Sequence, residues 1–250
     1  MPVKAFINKH ARILLVGDFP SKDDERHGRP FSAYEGQELD TMLADAGLTR
    51  SDVSVTTVFS THPPGGDINA WALERKNVRA ALNDSLPFKF IPCKRGVVHP
   101  QQLQHELARL YAEIADAKPN VIVALGNSAI VALCGTSGIT KLRGALHFYT
   151  APTQNLLESA PPIKVIPTYA PRMVLANYEW RPHVVADLTK VKLESTSRIA
   201  NLRNRKLYTQ PTIEEAEEWA EYLCNQQYLA FDIETKAKQI TCIGFSPSST

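Results

Sequence analysis

The sequence predicts an α/β fold, a three-layer α/β/α sandwich around a parallel central sheet. Two short apolar runs, at residues 13–17 and 121–125, are continuous, which is typical of strands buried on both faces of a parallel sheet. A turn or loop and then a helix follows each run. Strand-like and helix-like segments alternate in this way through residue 193, and such alternation indicates an α/β sandwich.

The first strand and the first helix frame the predicted binding pocket. A turn at residues 18–21 and a polar loop follow the strand, and a helix begins near Tyr34. Apolar residues at helical spacing support this helix, and Gly47 is placed to end it. Ligands of open α/β sheets lie at the carboxyl ends of the strands, so we expect a pocket in this loop.

The later elements follow in the same order. Residues 53–59 are rich in β-branched side chains and predict a strand, and residues 60–67 have the composition of a loop. Residues 70–90 are ambiguous and read as irregular helix. The remaining predicted elements are helix 100–117, strand 121–125, helix 127–133, strands 144–150 and 163–168, and helix 182–193.

Composition limits the class of protein. The chain has 250 residues and a formal net charge of +2, which by itself says nothing about nucleic acid. No apolar run approaches the roughly 18 residues of a membrane span, and the first residues do not resemble a signal peptide. The four cysteines are far apart and form no CxxC pair, so we expect reduced thiols in a cytoplasmic protein.

The composition changes after residue 194. Residues 195–208 are basic and contain no acidic residue, which indicates an exposed linker that either touches phosphates or is simply solvated. An acidic helix (213–225) and two strands (228–234 and 240–245) follow. A helix and two strands cannot bury a core of their own. We therefore predict a first domain at 1–194, a basic linker at 195–211 and the truncated start of a second domain at 212–250.

Residues 13–48 resemble motif 1 of the uracil-DNA glycosylase superfamily, and in particular its iron-sulfur branch. The residues that match the motif in register are Gly17, Pro20, Gly28, Arg29, Pro30, Phe31, Gly36, Gln37, Leu39, Asp40, Leu43, Gly47 and Leu48. Segments 118–126, 139–144 and 165–171 resemble later parts of the same family. The resemblance covers residues 10–193 and implies a glycosylase fold.

The resemblance also implies a base pocket. A glycosylase flips its target base out of the duplex and stacks it, and Phe31 matches the stacking phenylalanine of the family. The alternative is that Phe31 is a core aromatic that anchors the loop. Asp18 takes the place of the family's motif 1 glutamate, which makes it a candidate catalytic residue that positions water; a helix-capping or surface role is the alternative. Phe19 is assigned to the same pocket.

Two pocket positions depart from the family pattern. Thr57 falls where the family has its uracil-reading asparagine, and a hydroxyl cannot make the two-point contact of an amide. Ala170 falls where the family has a histidine that donates to the uracil oxygen. His62 or His147 could substitute, or both could be ordinary solvated histidines. The resemblance therefore implies a damaged or altered active site.

The cofactor of the family's iron-sulfur branch is not expected. That branch places two cysteines near its start, whereas this chain has none before Cys93, and Thr61 stands where the third would be. Without four thiolates there is no cluster. We expect no cofactor in the glycosylase-like domain.

The parts that contact DNA in the family are better preserved. Pro63 and Pro64 resemble the start of the proline-rich loop that pinches the DNA backbone. Positive side chains are expected near phosphates on the same rim, and the alternative is scattered surface charge. The candidate DNA-binding set is Arg29, Pro63, Pro64, Lys141, Arg143 and Arg172, with His147 beside it.

A second motif lies in residues 231–235. It resembles the first exonuclease motif of DNA polymerases that carry a 3′–5′ proofreading domain of the RNase H-like fold. Asp232 and Glu234 are two apart on a strand, so both carboxylates point to one side, where they can ligate Mg²⁺ or Mn²⁺ in a complete exonuclease domain. Together the two resemblances imply the amino-terminal part of a bacteriophage DNA polymerase, located in the host cytoplasm.

Three functions remain open from the sequence. The first is a DNA-binding, catalytically weak or silent glycosylase-fold module that serves a polymerase. The second is an active uracil-DNA glycosylase with rearranged catalytic residues. The third is a scaffold for other replication proteins that does not bind DNA. The changes at Thr57 and Ala170 favour the first over the second.

Overall fold

The computed structural model describes residues 2–74, 77, 91–150, 161–201, 208–236 and 238–247. Two compact units make up the chain, Met1–Ala200 and Asn201–Thr250. Each unit is described by itself below.

A five-stranded sheet forms the centre of the first unit. Its strands are β1 (Ile13–Gly17), β2 (Val53–Thr57), β6 (Val121–Leu125), β7 (His147–Phe148) and β8 (Lys164–Thr168), in the spatial order β2-β1-β6-β8-β7. Four of them are parallel, and the short edge strand β7 is antiparallel to β8. The predicted α/β fold with a mostly parallel central sheet is confirmed. The predicted strand at 144–150 is much shorter than expected, and the strand at 53–59 ends at Thr57.

Helices cover both faces of this sheet. Alternate residues of β1 enter different apolar clusters: Ile13 and Leu15 face one side, and Leu14 and Val16 face the other. The first side is covered by α2 (Tyr34–Asp45) and α7 (Arg181–Glu194), and the second by α3 (Pro100–Ala117) and α4 (Asn127–Cys134). Two short helices, α5 (Ile139–Leu142) and α6 (Pro171–Ala176), complete the layers.

The sequence did not predict two features of this unit. The loop after β1 contains a helix, α1 (Lys22–His27), which begins with a capping box between Ser21 and Asp24. A small antiparallel sheet joins β3 (Ala72–Glu74), β4 (Pro92–Cys93) and β5 (Gly96–Val98) in the order β3-β5-β4. Most of the ambiguous stretch at 70–90 lies outside the described residues. No helix in the described part of the chain is long and apolar enough to cross a membrane.

The second unit consists of one helix and one hairpin. Helix α8 (Ile213–Cys224) precedes β9 (Ala230–Lys236) and β10 (Gln239–Ser246), which pair antiparallel. The register places Phe231 opposite Phe245 and Ile233 opposite Ile243. Among the residues that the structure describes in this unit, none is buried.

Candidate functional site

Asp18 occupies the point where the sheet order reverses, directly after the central strand β1. Its Oδ1 accepts hydrogen bonds from the backbone N–H groups of Ser128 (2.9 Å) and Ala129 (3.1 Å) at the start of α4. Gly126, at the end of β6, has φ 110°, and a Cβ built there would lie 2.5 Å from Asp18 Oδ2. A glycine at this turn therefore lets the carboxylate reach the helix, and the positive end of the helix dipole favours its charge.

Arg172 closes the other side of Asp18. Its Nη2 donates to Asp18 Oδ2 at 2.5 Å, and its guanidinium carbon lies 4.0 Å from the centroid of the Phe19 ring. The Phe19 ring makes an edge contact with His62, whose Nδ1 is 2.9 Å from the Pro20 carbonyl oxygen. Three predicted site residues, Asp18, Phe19 and Arg172, are thus brought together, although Arg172 was assigned to DNA phosphates.

Phe31 lies against the end of β1. A Cβ built on Gly17 would lie 2.7 Å from the tip of the Phe31 ring, so the ring packs flush against the strand. Phe31 is 7% exposed and has φ 51°, and Arg50 Nη2 donates to its carbonyl oxygen at 2.6 Å. The buried Asp24 carboxylate also holds this loop by accepting from the backbone N–H and hydroxyl of Ser32. The ring is fixed where the resemblance places a base-stacking side chain.

Thr57 and Ala170 line the same edge of the sheet but offer little to a base. The Thr57 hydroxyl donates to the Phe59 carbonyl at 2.7 Å, and the residue is 2% exposed. Arg109 Nη2 donates to the Thr57 carbonyl at 2.7 Å, which fixes the end of β2. Ala170 is buried in the apolar cluster beneath α2 and α7. Both positions therefore contribute packing.

Arg143 is held by an acidic side chain on α7. Its Nε and Nη2 donate to Asp187 at 3.1 and 2.8 Å, and Thr168, the last residue of β8, donates to the same carboxylate at 2.6 Å. Burial raises the pKa of Asp187, while Thr168 and Arg143 act in the opposite direction. The guanidinium expected to contact phosphates is therefore used largely inside the protein.

The other candidate DNA contacts are distributed along the surface. Arg29, Pro64 and Lys141 are exposed, whereas Pro63 is buried. An open cleft of about 600 Å³ lies beside the proline-rich loop, and its lining includes two cations that the sequence did not single out. The lining residues are Lys22, Glu25, Arg26, His62, Pro63, Pro64 and Gly65.

His147 lies away from this edge. It pairs with Val165, three residues before the carboxyl end of β8 at Thr168, and its Nε2 is buried without a hydrogen-bond partner among the described residues. Of the two histidines proposed as substitutes, His62 is the one placed beside Phe19 and the cleft.

The sequence gave no signal for Glu35. This residue lies in the first turn of α2, four residues after Phe31, and is half-buried. Burial raises the pKa of its carboxyl, and the charges of Asp24 and Asp18 act in the same direction, whereas Arg172 and His62 oppose them. The match to the family motif is in residues on either side of Glu35, so only the three-dimensional arrangement reveals it.

The predicted metal ligands lie on one face of the hairpin. Asp232 and Glu234 are opposite Gly244 and Cys242, on the face that does not carry Phe231 and Ile233. Within the described residues, no group of three or more potential ligands could hold a metal ion. Of the cysteines, Cys93 and Cys134 belong to the first unit, so its residues do not fit a four-thiolate iron-sulfur cluster.

Comparison with known proteins places this arrangement in a family. Residues 5–190 match the uracil DNA glycosylase superfamily. A type-4 uracil-DNA glycosylase of Thermotoga maritima is 29% identical over 189 residues, which cover 74% of this chain and 78% of that protein. The type-4 enzyme of Archaeoglobus fulgidus is 25% identical over 74% of this chain and 77% of its own length. That of Saccharolobus solfataricus is 24% identical over 79% and 77%.

The family match spans the central sheet and the helices on both of its faces, with the edge at which Asp18, Phe31 and Arg172 meet. The chain belongs to the uracil DNA glycosylase superfamily.

Proposed function

We propose that the chain is a DNA-binding glycosylase-fold module that excises uracil slowly at most. The observation that carries this proposal is the Thr57 hydroxyl, which donates to the Phe59 carbonyl and is not free to read a base. Membership of the superfamily and the names of the relatives, type-4 uracil-DNA glycosylases, support DNA as the ligand.

The cost of the pocket changes follows from their chemistry. A threonine in place of an amide loses the two-point contact with the uracil edge, and an alanine in place of a histidine loses a donor to the departing anion. Each loss is worth about 2 to 4 kcal/mol, and together they remove roughly three to six orders of magnitude of rate. Phe31 remains in position to stack a flipped base.

Positive side chains around the cleft support the DNA-binding part of the proposal. Lys22 and Arg26 line it together with the proline-rich loop, and Lys141 is exposed. Such side chains bind phosphates without reading sequence, and their binding weakens as salt rises. This leaves affinity for DNA intact where the chemistry of excision is reduced.

We further propose that the module serves a DNA polymerase, as in bacteriophage replication proteins, and acts in the host cytoplasm with other replication proteins. The support is the hairpin of the second unit, where Asp232 and Glu234 share one face of β9. In a complete 3′–5′ exonuclease domain these carboxylates would bind Mg²⁺ or Mn²⁺, while the glycosylase-like domain would need no cofactor.

A uracil-containing single-stranded oligonucleotide, incubated with excess protein and then cleaved at abasic sites, tests the proposal. We expect salt-dependent binding by fluorescence anisotropy and slow single-turnover excision. Thr57→Asn should raise the excision rate by at least about tenfold, because the amide restores the base contact. Thermal melting of the variant by circular dichroism checks that it is folded.

Two outcomes favour the other functions. Fast excision by the wild-type protein would indicate an active glycosylase with rearranged residues. No binding to single- or double-stranded DNA at low salt would indicate a protein-interaction scaffold.

A further inference from the structure

Asp18 is not available for proton transfer in this arrangement. Its Oδ1 accepts from Ser128 and Ala129, and its Oδ2 accepts from Arg172. A carboxylate that is hydrogen-bonded to an arginine and to a helix start has its charge stabilised, which makes it a weak base. The family position of the motif 1 carboxylate is therefore filled by a residue that fastens β1 to α4 and α6.

Glu35 is a second carboxylate beside the same pocket, and its chemistry differs. Among the residues that the structure describes, it makes no hydrogen bond and no ion pair, and it is half-buried. The groups that act on it electrostatically are Arg172 on α6, Asp24 on α1, Asp18 after β1 and His62 after β2. Burial is the largest influence and raises the pKa of this carboxyl, which is the change that makes a carboxylate a better base.

Arg172 has donors to spare. Asp18 is its one hydrogen-bond partner among the described residues, whereas a guanidinium carries five N–H groups. Its side chain is 28% exposed, and the Phe19 ring holds the guanidinium from the side. Arg172 is two residues after Ala170, the position from which the histidine is missing.

We propose that Glu35 and Arg172 rebuild the excision chemistry of this pocket, an inference that rests on the proposed function. The oxygen of a water molecule forms a bond to C1′ of the deoxyuridine while the C1′–N1 bond breaks. The bonding electron pair leaves with uracil as its anion, and the proton of the water passes to the Glu35 carboxylate. Arg172 donates a hydrogen bond to the oxygen on which the charge of the leaving uracil collects.

The first test is Glu35→Gln in the full 250-residue chain. We expect the single-turnover excision rate to fall at least about 100-fold, while the affinity for uracil-containing DNA changes less than about threefold. The wild-type rate should decline as pH falls through the raised pKa of Glu35, and the variant should lose that decline. Asp116→Asn, which neutralises an exposed carboxylate on α3, is the matched control and should leave rate and pH profile unchanged.

The second test uses the leaving group. Arg172→Gln removes the charge, and its rate is compared with wild type on uracil and on 5-fluorouracil, which departs more readily as an anion. If Arg172 receives the developing charge, the rate loss should be about tenfold larger for uracil. A purely structural role would lower both rates equally. If this variant does not fold, Arg172→Lys is measured in the same way.

The outcomes separate this inference from the proposed function. An unchanged rate and pH profile for Glu35→Gln overturn the role of Glu35, and equal losses on both substrates overturn that of Arg172. DNA binding without any excision by the wild-type chain overturns the rebuilt chemistry but leaves the DNA-binding module standing. Absence of DNA binding overturns the proposed function itself.

Discussion

Arg143 and Asp187 form a two-point ion pair between the end of α5 and the middle of α7, with Oδ2 of Asp187 also bound by Thr168. The side chain of Asp187 is 6% exposed and that of Arg143 is 23% exposed. An arginine in this position supports the fold first, because its removal leaves a buried carboxylate without its cation.

We therefore expect Arg143→Ala to lower the free energy of unfolding by about 2 to 4 kcal/mol, measured by urea denaturation. Lys141→Ala is the matched control, since Lys141 is exposed and lies two residues away. It should leave stability unchanged and reduce the salt slope of DNA binding by about one. If Arg143→Ala unfolds like wild type and loses DNA binding, Arg143 is a phosphate contact.

Asp18→Asn should also act mainly on stability. The amide oxygen still accepts from Ser128 and Ala129, but the charge that attracts Arg172 is lost. We expect a loss of about 1 to 3 kcal/mol in the free energy of unfolding. The exposed pair between Lys9 and Asp116 provides the comparison, because Asp116→Asn should cost less than about 1 kcal/mol.

The excision rate of the Asp18 variant gives the contrary outcome. A rate loss larger than that of Glu35→Gln, without any change in stability, would make Asp18 the catalytic carboxylate.

Glu35→Gln should stabilise the protein at neutral pH. Burial raises the pKa of Glu35 in the folded state, so ionisation of this carboxyl opposes folding. The variant's advantage should be present at pH 7 and should disappear as pH falls below the ordinary glutamate pKa of about 4.3, where Glu35 is protonated in both states. Thermal melting from pH 4 to pH 8 measures it.

Glu38→Gln is the control on the same helix. Glu38 pairs with Arg181 at 2.9 Å, so its substitution should destabilise the protein. A Glu35→Gln variant that melts below wild type at pH 7 would show that Glu35 has a stabilising partner.

The purified protein should be colourless and contain no stoichiometric iron. A cluster requires four thiolates, and the first unit contains Cys93 and Cys134. Visible absorption and elemental analysis measure this. A broad band in the visible range with iron bound in stoichiometric amount would contradict it.

The 250-residue chain should not degrade single-stranded DNA with Mg²⁺ or Mn²⁺. Asp232 and Glu234 supply two carboxylates, whereas two-metal hydrolysis requires further ligands, and the described residues contain no group of three. Degradation of a labelled oligonucleotide is the assay. Activity that Asp232→Asn abolishes would show that the site is complete.

The sequence predicted elements whose own pattern identifies them. Strand β6 and helix α3 have the predicted bounds, because a continuous apolar run and a periodic apolar face are local signals. Helix α1 was missed because Lys22–His27 is entirely polar, and its signal was the capping box at Ser21. The strand at 144–150 was predicted too long, since only His147–Phe148 finds a partner in β8.

The candidate site was predictable only in part. The resemblance located Asp18, Phe31, Thr57 and Ala170 at the edge of the sheet. It could not show that Arg143 is held by a carboxylate 44 residues later, or that Glu35 faces the charges of other elements. Both facts depend on which segments the fold brings together.

The contact between Asp18 and Arg172 has a consequence for the order in which the molecule is made. The two residues are 154 positions apart, so a ribosome must have released almost the whole first unit before they can meet. Contacts of such long sequence separation carry a large loop-closure cost and form late in folding. The edge of the sheet at which they meet is thus among the last parts to mature, and nascent chains that end before residue 172 cannot display a finished pocket.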